Sequence, residues 1–158
     1  MSVTVWRNAV EAASYPAIDL SGTGAKITGG RWNHPGVAIV YCSTNIAITV
    51  LETLNAIKNG ELPFNRYLVA VDIPDDLWSS AVDGFSTPIG GWDAIPHGFS
   101  SKKLGTDWAN SSLSAVLKVP SIYVPEEVNV LINPLHPDAY RITARAVRRW
   151  IYDPRLFA

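Results

Sequence analysis

The sequence predicts an α+β domain, a mixed α/β arrangement in which helices flank a central sheet. Short apolar runs of strand length recur along its 158 residues, and one strongly periodic helical stretch lies between two of them. Several further strand-like runs follow late in the chain. Apolar residues make up 47% of the sequence and charged residues 17%, which is typical of a compact globular protein. The length favours one domain with one substantial core.

The first part of the chain contains two predicted strands separated by a polar loop. Val3 to Arg7 alternates and contains β-branched and aromatic residues, which predicts a short strand that ends at the arginine. A glycine-rich polar loop then leads to Arg31. Val37 to Cys42 is a continuous apolar run, and it predicts a buried strand.

The clearest predicted helix follows this second strand. Ser43 to Asn45 offers side chains that can cap a helix N-terminus, and Asn59-Gly60 supplies a stop. The apolar residues between these signals recur at helical spacing and form a stripe. They are Ala47, Val50, Leu51, Leu54 and Ile57.

The second part of the chain alternates strands, turns and one weaker helix. Tyr67 to Ile73 predicts a strand that ends at Pro74, since proline cannot donate to a ladder. Ser79 to Gly98 is rich in Gly, Pro and Ser and predicts a long surface excursion. Lys102 to Leu113 predicts a helix that Gly105 weakens. Three late runs predict strands: Val116 to Val119, Asn129 to Ile132 and Tyr140 to Tyr152.

The charge of the chain argues against a general nucleic-acid binder. Its formal net charge is −1, whereas neutralising phosphates requires clustered lysine and arginine over a binding face. The one cluster consists of Arg141, Arg145, Arg148 and Arg149. A strand there sends arginines to both faces, so we interpret the cluster as solvated surface or partner contacts.

Several other classes of protein and site are also excluded. No apolar stretch approaches the ~20 residues that cross a bilayer, and no stretch has the order of a secretory signal, so a cytoplasmic protein without membrane insertion is expected. The single cysteine, Cys42, is predicted to be buried and inert. No metal site is predicted, because Cys42 and the dispersed His34, His97 and His136 lack ligand spacing. The glycines before Arg31 match neither a dinucleotide fingerprint nor a P-loop.

Four polar residues at the edges of apolar elements are the candidates for chemistry, since a scaffold presents such side chains to a cleft. They are Arg7, Arg31, Glu52 and Ser121. Arg31 follows a Gly-Gly pair that lets the backbone approach a ligand closely. Each residue also has a purely structural alternative. Glu52 is compatible with a plain helix surface, Arg31 with an ion pair and Ser121 with a turn.

Five segments, in order, resemble the RES family, which is named for its Arg, Glu and Ser. The segments are Gly29-Gly30-Arg31-Trp32-Asn33, Val40-Tyr41-Cys42-Ser43, Leu51-Glu52, Val119-Pro120-Ser121 and Asn129-Val130-Leu131-Ile132-Asn133-Pro134. The resemblance extends from Trp6-Arg7 to about His136-Pro137, and the excursion from Ser79 to Gly98 contains no matching segment.

The resemblance implies an ADP-ribosyltransferase-like fold and a single RES domain over residues 1–158. It implies catalytic roles for Arg31, Tyr41 and Glu52. It also implies a substrate-binding set, which consists of Arg7, Arg31, Tyr41 and Ser121. Residue chemistry agrees, because a carboxylate stabilises positive charge that develops on ribose and guanidinium groups bind pyrophosphate.

RES proteins are toxins of toxin–antitoxin pairs, so the resemblance implies a toxin that cleaves NAD⁺ at the nicotinamide–ribose bond and arrests growth. NAD⁺ is then a substrate, no resident cofactor is implied, and inorganic phosphate is a candidate co-substrate. The implied partner is an Xre-like, DNA-binding antitoxin. Mono-ADP-ribosylation of a protein and a non-catalytic interaction module are the alternatives. The sequence leaves open the acceptor, homodimerisation, the strand order and whether residues 79–98 form a lid.

Overall fold

A seven-stranded sheet forms the centre of the computed structural model, which describes residues 1–54 and 64–157. In chain order, the strands are β1 (Ser2–Val10), β2 (Val40–Ser43), β3 (Arg66–Pro74), β4 (Val82–Asp83), β5 (Val116–Pro120), β6 (Val128–Ile132) and β7 (Thr143–Trp150). Across the sheet the order is β4-β5-β6-β2-β1-β3-β7. Strands β4 and β5 are parallel, and every other neighbouring pair of these strands is antiparallel.

Short helices connect the strands. They are α1 (Thr23–Thr28), α2 (Ile46–Leu54), α3 (Asp75–Ser79) and α4 (Phe99–Ser111), with 3₁₀ turns at Ala139–Arg141 and Pro154–Phe157. The predicted α+β class, a central sheet with flanking helices, is confirmed. Within residues 1–54 and 64–157, no helix has the length and apolar character needed to cross a membrane.

Apolar cores cover both faces of the sheet, because successive residues of a strand point to opposite sides. Val130 of β6 lies in one core, to which α3 contributes Leu77. The neighbouring residue Leu131 lies in the other core, to which α4 contributes Trp108. The sheet is therefore buried on both sides at its centre.

The predicted strands are present, but several ends are shifted. β1 continues to Val10 because it pairs with β3 along its whole length, so Arg7 lies inside the strand and the prediction that it ends the strand is wrong. β2 begins at Val40 instead of Val37. Tyr140 lies in the 3₁₀ turn before β7, so the last strand begins later than predicted.

α2 begins as predicted, but its buried side includes only part of the predicted apolar stripe. The side-chain oxygen of Asn45 accepts a hydrogen bond from the backbone N–H of Ile48 at 2.9 Å, which caps the first turn. The buried positions are Ile48, Thr49 and Val50, whereas Ala47 of the apolar stripe is exposed. The predicted Ile57 and the predicted stop at Asn59-Gly60 lie outside the described residues. A polar side of α2 consequently faces the sheet.

α1 was not predicted from the sequence, whereas α4 was. α1 spans six residues and buries none of them, so it leaves no apolar periodicity to detect. α4 contains Gly105, where an added Cβ would lie 1.8 Å from the carbonyl oxygen of Trp32. The glycine that weakens the helical pattern therefore allows α4 to pack directly against the Trp32 backbone.

The predicted excursion runs from Ser79 to Gly98 and contains regular structure only at its start, in the end of α3 and in β4. Its centre is attached to the segment that follows α1. The ring of Trp92 stacks on that of the buried Trp32, with centroids 6.2 Å apart. This contact places the excursion beside the residues that follow the Gly-Gly pair.

β1 and β2 separate after a single paired position. They pair at Trp6 and Ser43, whereas β1 pairs with β3 and β2 pairs with β6 over most of their lengths. The two halves of the sheet therefore diverge beyond Trp6 and Ser43. Several polar side chains lie at this fork.

Candidate active site

Two adjoining cavities lie at the fork of the sheet. The first, called here the fork cavity, has a volume of about 220 Å³ and is lined by Arg7, Asn8, Tyr41, Cys42, Ser43, Thr49, Glu52, Thr53 and Asn129. The second, called here the Arg31 cavity, has a volume of about 350 Å³ and is lined by Gly29, Gly30, Arg31, Trp32, Tyr41, Glu52, His97, Pro120, Ile122, Tyr123 and Asn129. Tyr41, Glu52 and Asn129 line both cavities. These three residues form the wall that the cavities share.

Glu52 is held in this wall through one oxygen of its carboxylate. Oε1 accepts hydrogen bonds from Ser121 Oγ at 2.7 Å and from Asn129 Nδ2 at 2.6 Å. Within the described part of the chain, no protein donor is hydrogen-bonded to Oε2. One carboxylate oxygen is therefore fixed by the protein, and the other is available to a ligand.

Ser121 is fully buried at the end of β5, with 0% of its surface exposed. Its hydroxyl donates to Glu52 and accepts from the backbone N–H groups of Tyr123 and Val124 at 3.2 and 3.3 Å. The hydroxyl therefore makes three hydrogen bonds within the protein, one of them to the Glu52 carboxylate. Its predicted contact with the substrate stays a prediction.

Tyr41 presents its ring to both cavities while its hydroxyl is occupied. The hydroxyl donates to Asn33 Oδ1 at 2.6 Å and accepts from the backbone N–H of Trp32 at 3.2 Å. Burial raises the pKa of Tyr41 well above its usual value. A Cβ on Gly30 would lie 2.8 Å from this hydroxyl, so a glycine is needed for the close approach. The available part of Tyr41 is its aromatic face.

Arg31 lies in the second cavity and is attached to the excursion. Its Nη1 donates to the carbonyl oxygens of Trp92 and Ala94 at 2.8 and 2.9 Å. Desolvation lowers the pKa of Arg31, and the negative charge of Glu52 opposes that change. A guanidinium ionises well above neutral pH, so Arg31 remains a cation.

Arg7 lies in the fork cavity, on the other side of Glu52. Its Nη1 donates to the carbonyl oxygen of Asp19 at 3.1 Å. Among the described residues, neither Arg7, Arg31 nor Glu52 forms a salt bridge. Each cavity therefore contains one guanidinium group that forms no salt bridge with a described residue. The Glu52 carboxylate lies between the two cavities.

Burial also changes the protonation of other residues in the cavities. Desolvation, with the nearby positive charges of Lys102 and Arg31, lowers the pKa of His97. Desolvation raises the pKa of Tyr123, and the charge of Glu52 adds to that effect. At neutral pH both side chains are uncharged, so the described charged groups that line the cavities are the two arginines and Glu52.

The sequence predicted no role for Asn129, although the segment that begins there resembles the RES family. The amide is 8% exposed, lines both cavities and donates to Glu52. An amide at the start of an apolar strand was a detectable signal. Thr49 and Thr53 of α2 were also not predicted to line a site. With Glu52 they form a polar side of the helix at positions i, i+3 and i+4, which the prediction from apolar residues alone did not consider.

The described histidine, cysteine and acidic side chains contain no group of three or more that could hold a metal ion. The ring of His34 packs against that of Phe99 in a tilted arrangement, with centroids 5.4 Å apart. His136 accepts a hydrogen bond at Nδ1 from the backbone N–H of Asp138 at 3.1 Å. The chemistry available in the cavities is therefore that of a carboxylate, two guanidinium groups and an aromatic ring.

Comparison with known proteins identifies relatives over nearly the whole chain. The model of the RES domain family matches residues 4–154. The Prs ADP-ribosylating toxin of Sphingobium sp. (strain YBL2) is 52% identical over 158 residues, covering 99% of this chain and 98% of that protein. Toxin Res of Photorhabdus laumondii is 36% identical over 77% of this chain and 76% of that protein. Toxin Res of Yersinia enterocolitica is 32% identical over 90% and 93%.

A solved structure shares the fold. The crystal structure of the M. tuberculosis MbcT-MbcA toxin-antitoxin complex contains a chain that matches with a TM-score of 0.57 and 16% identity. The match covers 99% of this chain and 87% of that one. At this identity, the likeness concerns the arrangement of strands and helices.

Proposed function

This chain belongs to the RES domain family, and we propose that it is a toxin that cleaves NAD⁺ at the bond between nicotinamide and ribose. The observation that carries the proposal is the placement of Glu52. Its carboxylate lies in the wall between two cavities, with Oε1 fixed and Oε2 available. A guanidinium lies in the cavity on each side.

The proposed reaction breaks the C1′–N bond, and the electron pair leaves with nicotinamide. Positive charge then develops on the ribose, so a carboxylate that hydrogen-bonds the ribose hydroxyls interacts more strongly with the transition state than with the substrate. Glu52 Oε2 has this role. Nicotinamide leaves as a neutral molecule, so the reaction needs no strong general acid, and an acceptor completes it by bonding to C1′.

The arginines and Tyr41 position the dinucleotide in this proposal. A guanidinium offers a planar fork of donors to phosphate oxygens, so Arg7 and Arg31 are assigned to the pyrophosphate or to an incoming phosphate. Tyr41 is assigned to the nicotinamide ring, which packs on its exposed face at low entropic cost. Its hydroxyl, held by Asn33 and Trp32, takes no part in the reaction.

The name of one relative supports a protein side chain as an alternative acceptor. The 52% identical relative is named a Prs ADP-ribosylating toxin and aligns over nearly its whole length. Transfer of ADP-ribose to protein uses the same bond cleavage as phosphorolysis or hydrolysis, so the three reactions differ only in the group that reaches C1′. Mono-ADP-ribosylation is therefore our second candidate function, alongside destruction of NAD⁺ itself.

An antitoxin is the proposed partner. The solved structure with the same fold is a toxin–antitoxin complex. An Xre-like protein that binds DNA and covers the cavities would silence the enzyme and supply the DNA contacts.

Incubation of the purified chain with NAD⁺ tests the proposal. Nicotinamide release is followed with and without inorganic phosphate, and protein labelling is followed with labelled NAD⁺ in cell extract. Release that requires phosphate identifies phosphorolysis, and labelled protein identifies ADP-ribosylation. Absence of release and of labelling under every condition would leave only the non-catalytic interaction module.

Matched arginine variants test the assignment of the cavities. Arg7→Gln and Arg31→Gln should each raise the Kd for NAD⁺ by about tenfold or more, since a hydrogen bond to a charged group contributes about 1.5–3 kcal/mol. Arg148→Gln is the control, because Arg148 lies outside both cavities and stacks on Trp150. Calorimetric titration with NAD⁺ measures the four constants, one for each variant and one for the wild type. Equal affinities for all variants and the wild type would contradict the assignment.

A further inference from the structure

A buried chain of hydrogen bonds leads from β2 to the carboxylate of Glu52. Ser43 Oγ donates to Asn129 Oδ1 at 2.8 Å, and Asn129 Nδ2 donates to Glu52 Oε1 at 2.6 Å. Ser43 is 2% exposed and Asn129 is 8% exposed. We propose that Ser43 and Asn129 are positioning residues that set the orientation of Glu52 for cleavage of NAD⁺. This inference rests on the proposed function and assigns new residues to the same site.

The chemistry of the groups fixes the direction of this chain. An ionised carboxylate only accepts hydrogen bonds, so the amide of Asn129 must turn its Nδ2 donors toward Glu52. Its Oδ1 then faces Ser43, and the serine hydroxyl must donate. Without the hydroxyl, Oδ1 would be a buried acceptor without a partner, and the amide would lose the contact that selects its orientation.

The sheet places this chain at the point where the two halves diverge. Ser43 is opposite Asn129 in the β2–β6 register and opposite Trp6 in the β1–β2 register. The positioning residues therefore lie on paired strands, whereas Glu52 lies on α2. Functional groups are placed more accurately when rigid elements support them.

Ser121 and Asn129 act on the same carboxylate oxygen. Both donors converge on Oε1, which restricts rotation of the carboxylate and leaves Oε2 without a protein donor among the described residues. Ser121 is attached to the chain after β5 and Asn129 lies on β6, so two elements hold one oxygen. Loss of either donor should lower the rate of bond cleavage more than the affinity for NAD⁺.

Steady-state nicotinamide release by serine variants tests the outer link of the chain. Ser43→Ala should lower kcat by about tenfold, the effect of losing one buried hydrogen bond on the transition state, with KM changed by less than about twofold. Ser43→Thr keeps the hydroxyl and should recover most of kcat. Ser114→Ala is the matched control. It removes a buried hydroxyl that accepts from Trp108 Nε1 outside both cavities, and it should leave kcat and KM unchanged.

Asn129→Asp tests the hydrogen bond between Asn129 and Glu52 through the pH profile of the rate, which a loss of folding stability alone would not shift. The change keeps the shape of the side chain but places a second carboxyl group against Glu52, so the two groups compete for ionisation. Activity at pH 7 should fall by about 100-fold, and the acidic limb of the rate profile should move to higher pH. Thermal unfolding of each variant shows that the protein is folded, and Asn129→Asp decides the question if Ser43→Ala does not fold.

The outcomes separate this inference from the proposed function. If Glu52→Gln is inactive while folded Ser43→Ala and Asn129→Asp keep the wild-type kcat and pH profile, the chain of hydrogen bonds does not position Glu52, although NAD⁺ cleavage stands. If the wild-type protein releases no nicotinamide, both are overturned. A fall in kcat for Ser43→Ala that Ser43→Thr restores, with Ser114→Ala unchanged, supports the positioning role.

Discussion

Thr49, Glu52 and Thr53 form a polar side of α2 that faces the sheet. Thr49 Oγ1 donates to the carbonyl oxygen of Trp6 at 3.3 Å, and Thr53 Oγ1 is hydrogen-bonded to the hydroxyl of Tyr152 at 2.7 Å. These contacts attach the helix to β1 and to the segment that follows β7, on both sides of the carboxylate. The hydrogen bonds of Thr49 and Thr53 therefore help to fix the position of Glu52, the residue that we assign to catalysis.

Cys42 provides a test of burial at the fork through the pH dependence of stability. Burial raises its pKa to about 12, against an unfolded value near 9, and the nearby Arg7 opposes the change. Because the folded pKa is the higher one, this contribution to stability is complete below pH 9 and is lost as pH rises toward 12. Wild-type stability should fall with pH more steeply than that of Cys42→Ala by up to about 1.4 kcal/mol per pH unit.

Urea unfolding at several pH values between 8.5 and 11 measures this difference. Tyrosines and lysines titrate in both proteins, so the difference between the two curves isolates the thiol. Parallel curves for the wild-type protein and Cys42→Ala would show that the thiol ionises in the folded protein as easily as in the unfolded one.

At the level of residues, the sequence indicated which side chains lie at a cleft but not what each one contacts. Arg7 and Glu52 interrupt apolar stretches and Arg31 follows a Gly-Gly pair, and these local signals are independent of the rest of the fold. The partners of Glu52 are separated from it by 69 and 77 positions in the sequence. Such contacts depend on which strands become neighbours, so the burial of Ser121 and the role of Asn129 required the structure.

At the level of elements, the strands with a clear local pattern were predicted, but the side that a helix turns toward the sheet was not. Apolar runs identified β2, β3, β5 and β6, because a buried strand needs apolar residues wherever it lies in the sheet. α2 was also identified, but its polar side faces the site while Ala47 is exposed. The apolar stripe of a helix usually faces the sheet. Here the sheet and α2 enclose a cavity lined by hydrogen-bonding groups, so polar residues of α2 face it.

Gly105 makes the packing of α4 testable. Propensity alone predicts that alanine in a helix interior is better than glycine by about 0.5–1 kcal/mol. The structure predicts the opposite sign for Gly105→Ala, since the new Cβ would lie 1.8 Å from the carbonyl oxygen of Trp32. We expect a loss of about 1–3 kcal/mol from overpacking.

Gly24→Ala is the matched control for this substitution. Gly24 is also helical, and an added Cβ there would meet only the Tyr15 hydroxyl at 3.8 Å. This variant should be as stable as the wild-type protein or more stable. Thermal unfolding compares the three proteins, and a stabilised Gly105→Ala would refute the close contact between α4 and Trp32.

At the scale of the whole molecule, the sheet order creates the site. β1 and β2 are separated in sequence by the loop that contains α1, yet they meet at Trp6 and Ser43 and then diverge. Strand order depends on pairing between segments that are distant in the sequence and on how the sheet packs against its cores. A local sequence pattern contains no information about either. The central sheet was therefore predictable from the sequence, and the fork was not.

The weak overall charge predicts how the isolated chain behaves toward DNA. Its net charge is −1, and nucleic-acid affinity arises mainly from neutralised phosphates. At ~0.15 M salt, the isolated chain should bind a labelled duplex no more tightly than about 10⁻⁴ M, the weak end of non-specific binding. Fluorescence anisotropy measures this, and submicromolar binding would show that the arginines of β7 form a nucleic-acid surface.

The central claim is that the Glu52 carboxylate drives cleavage of an NAD⁺ molecule bound in the two cavities. The most direct measurement compares nicotinamide release and NAD⁺ affinity in the wild-type protein and Glu52→Gln. For Glu52→Gln we expect a Kd within about threefold of the wild type, a rate lower by about 10²–10³-fold, and loss of toxicity with antitoxin binding retained. Release or toxicity close to the wild-type level in a folded Glu52→Gln protein would contradict the claim.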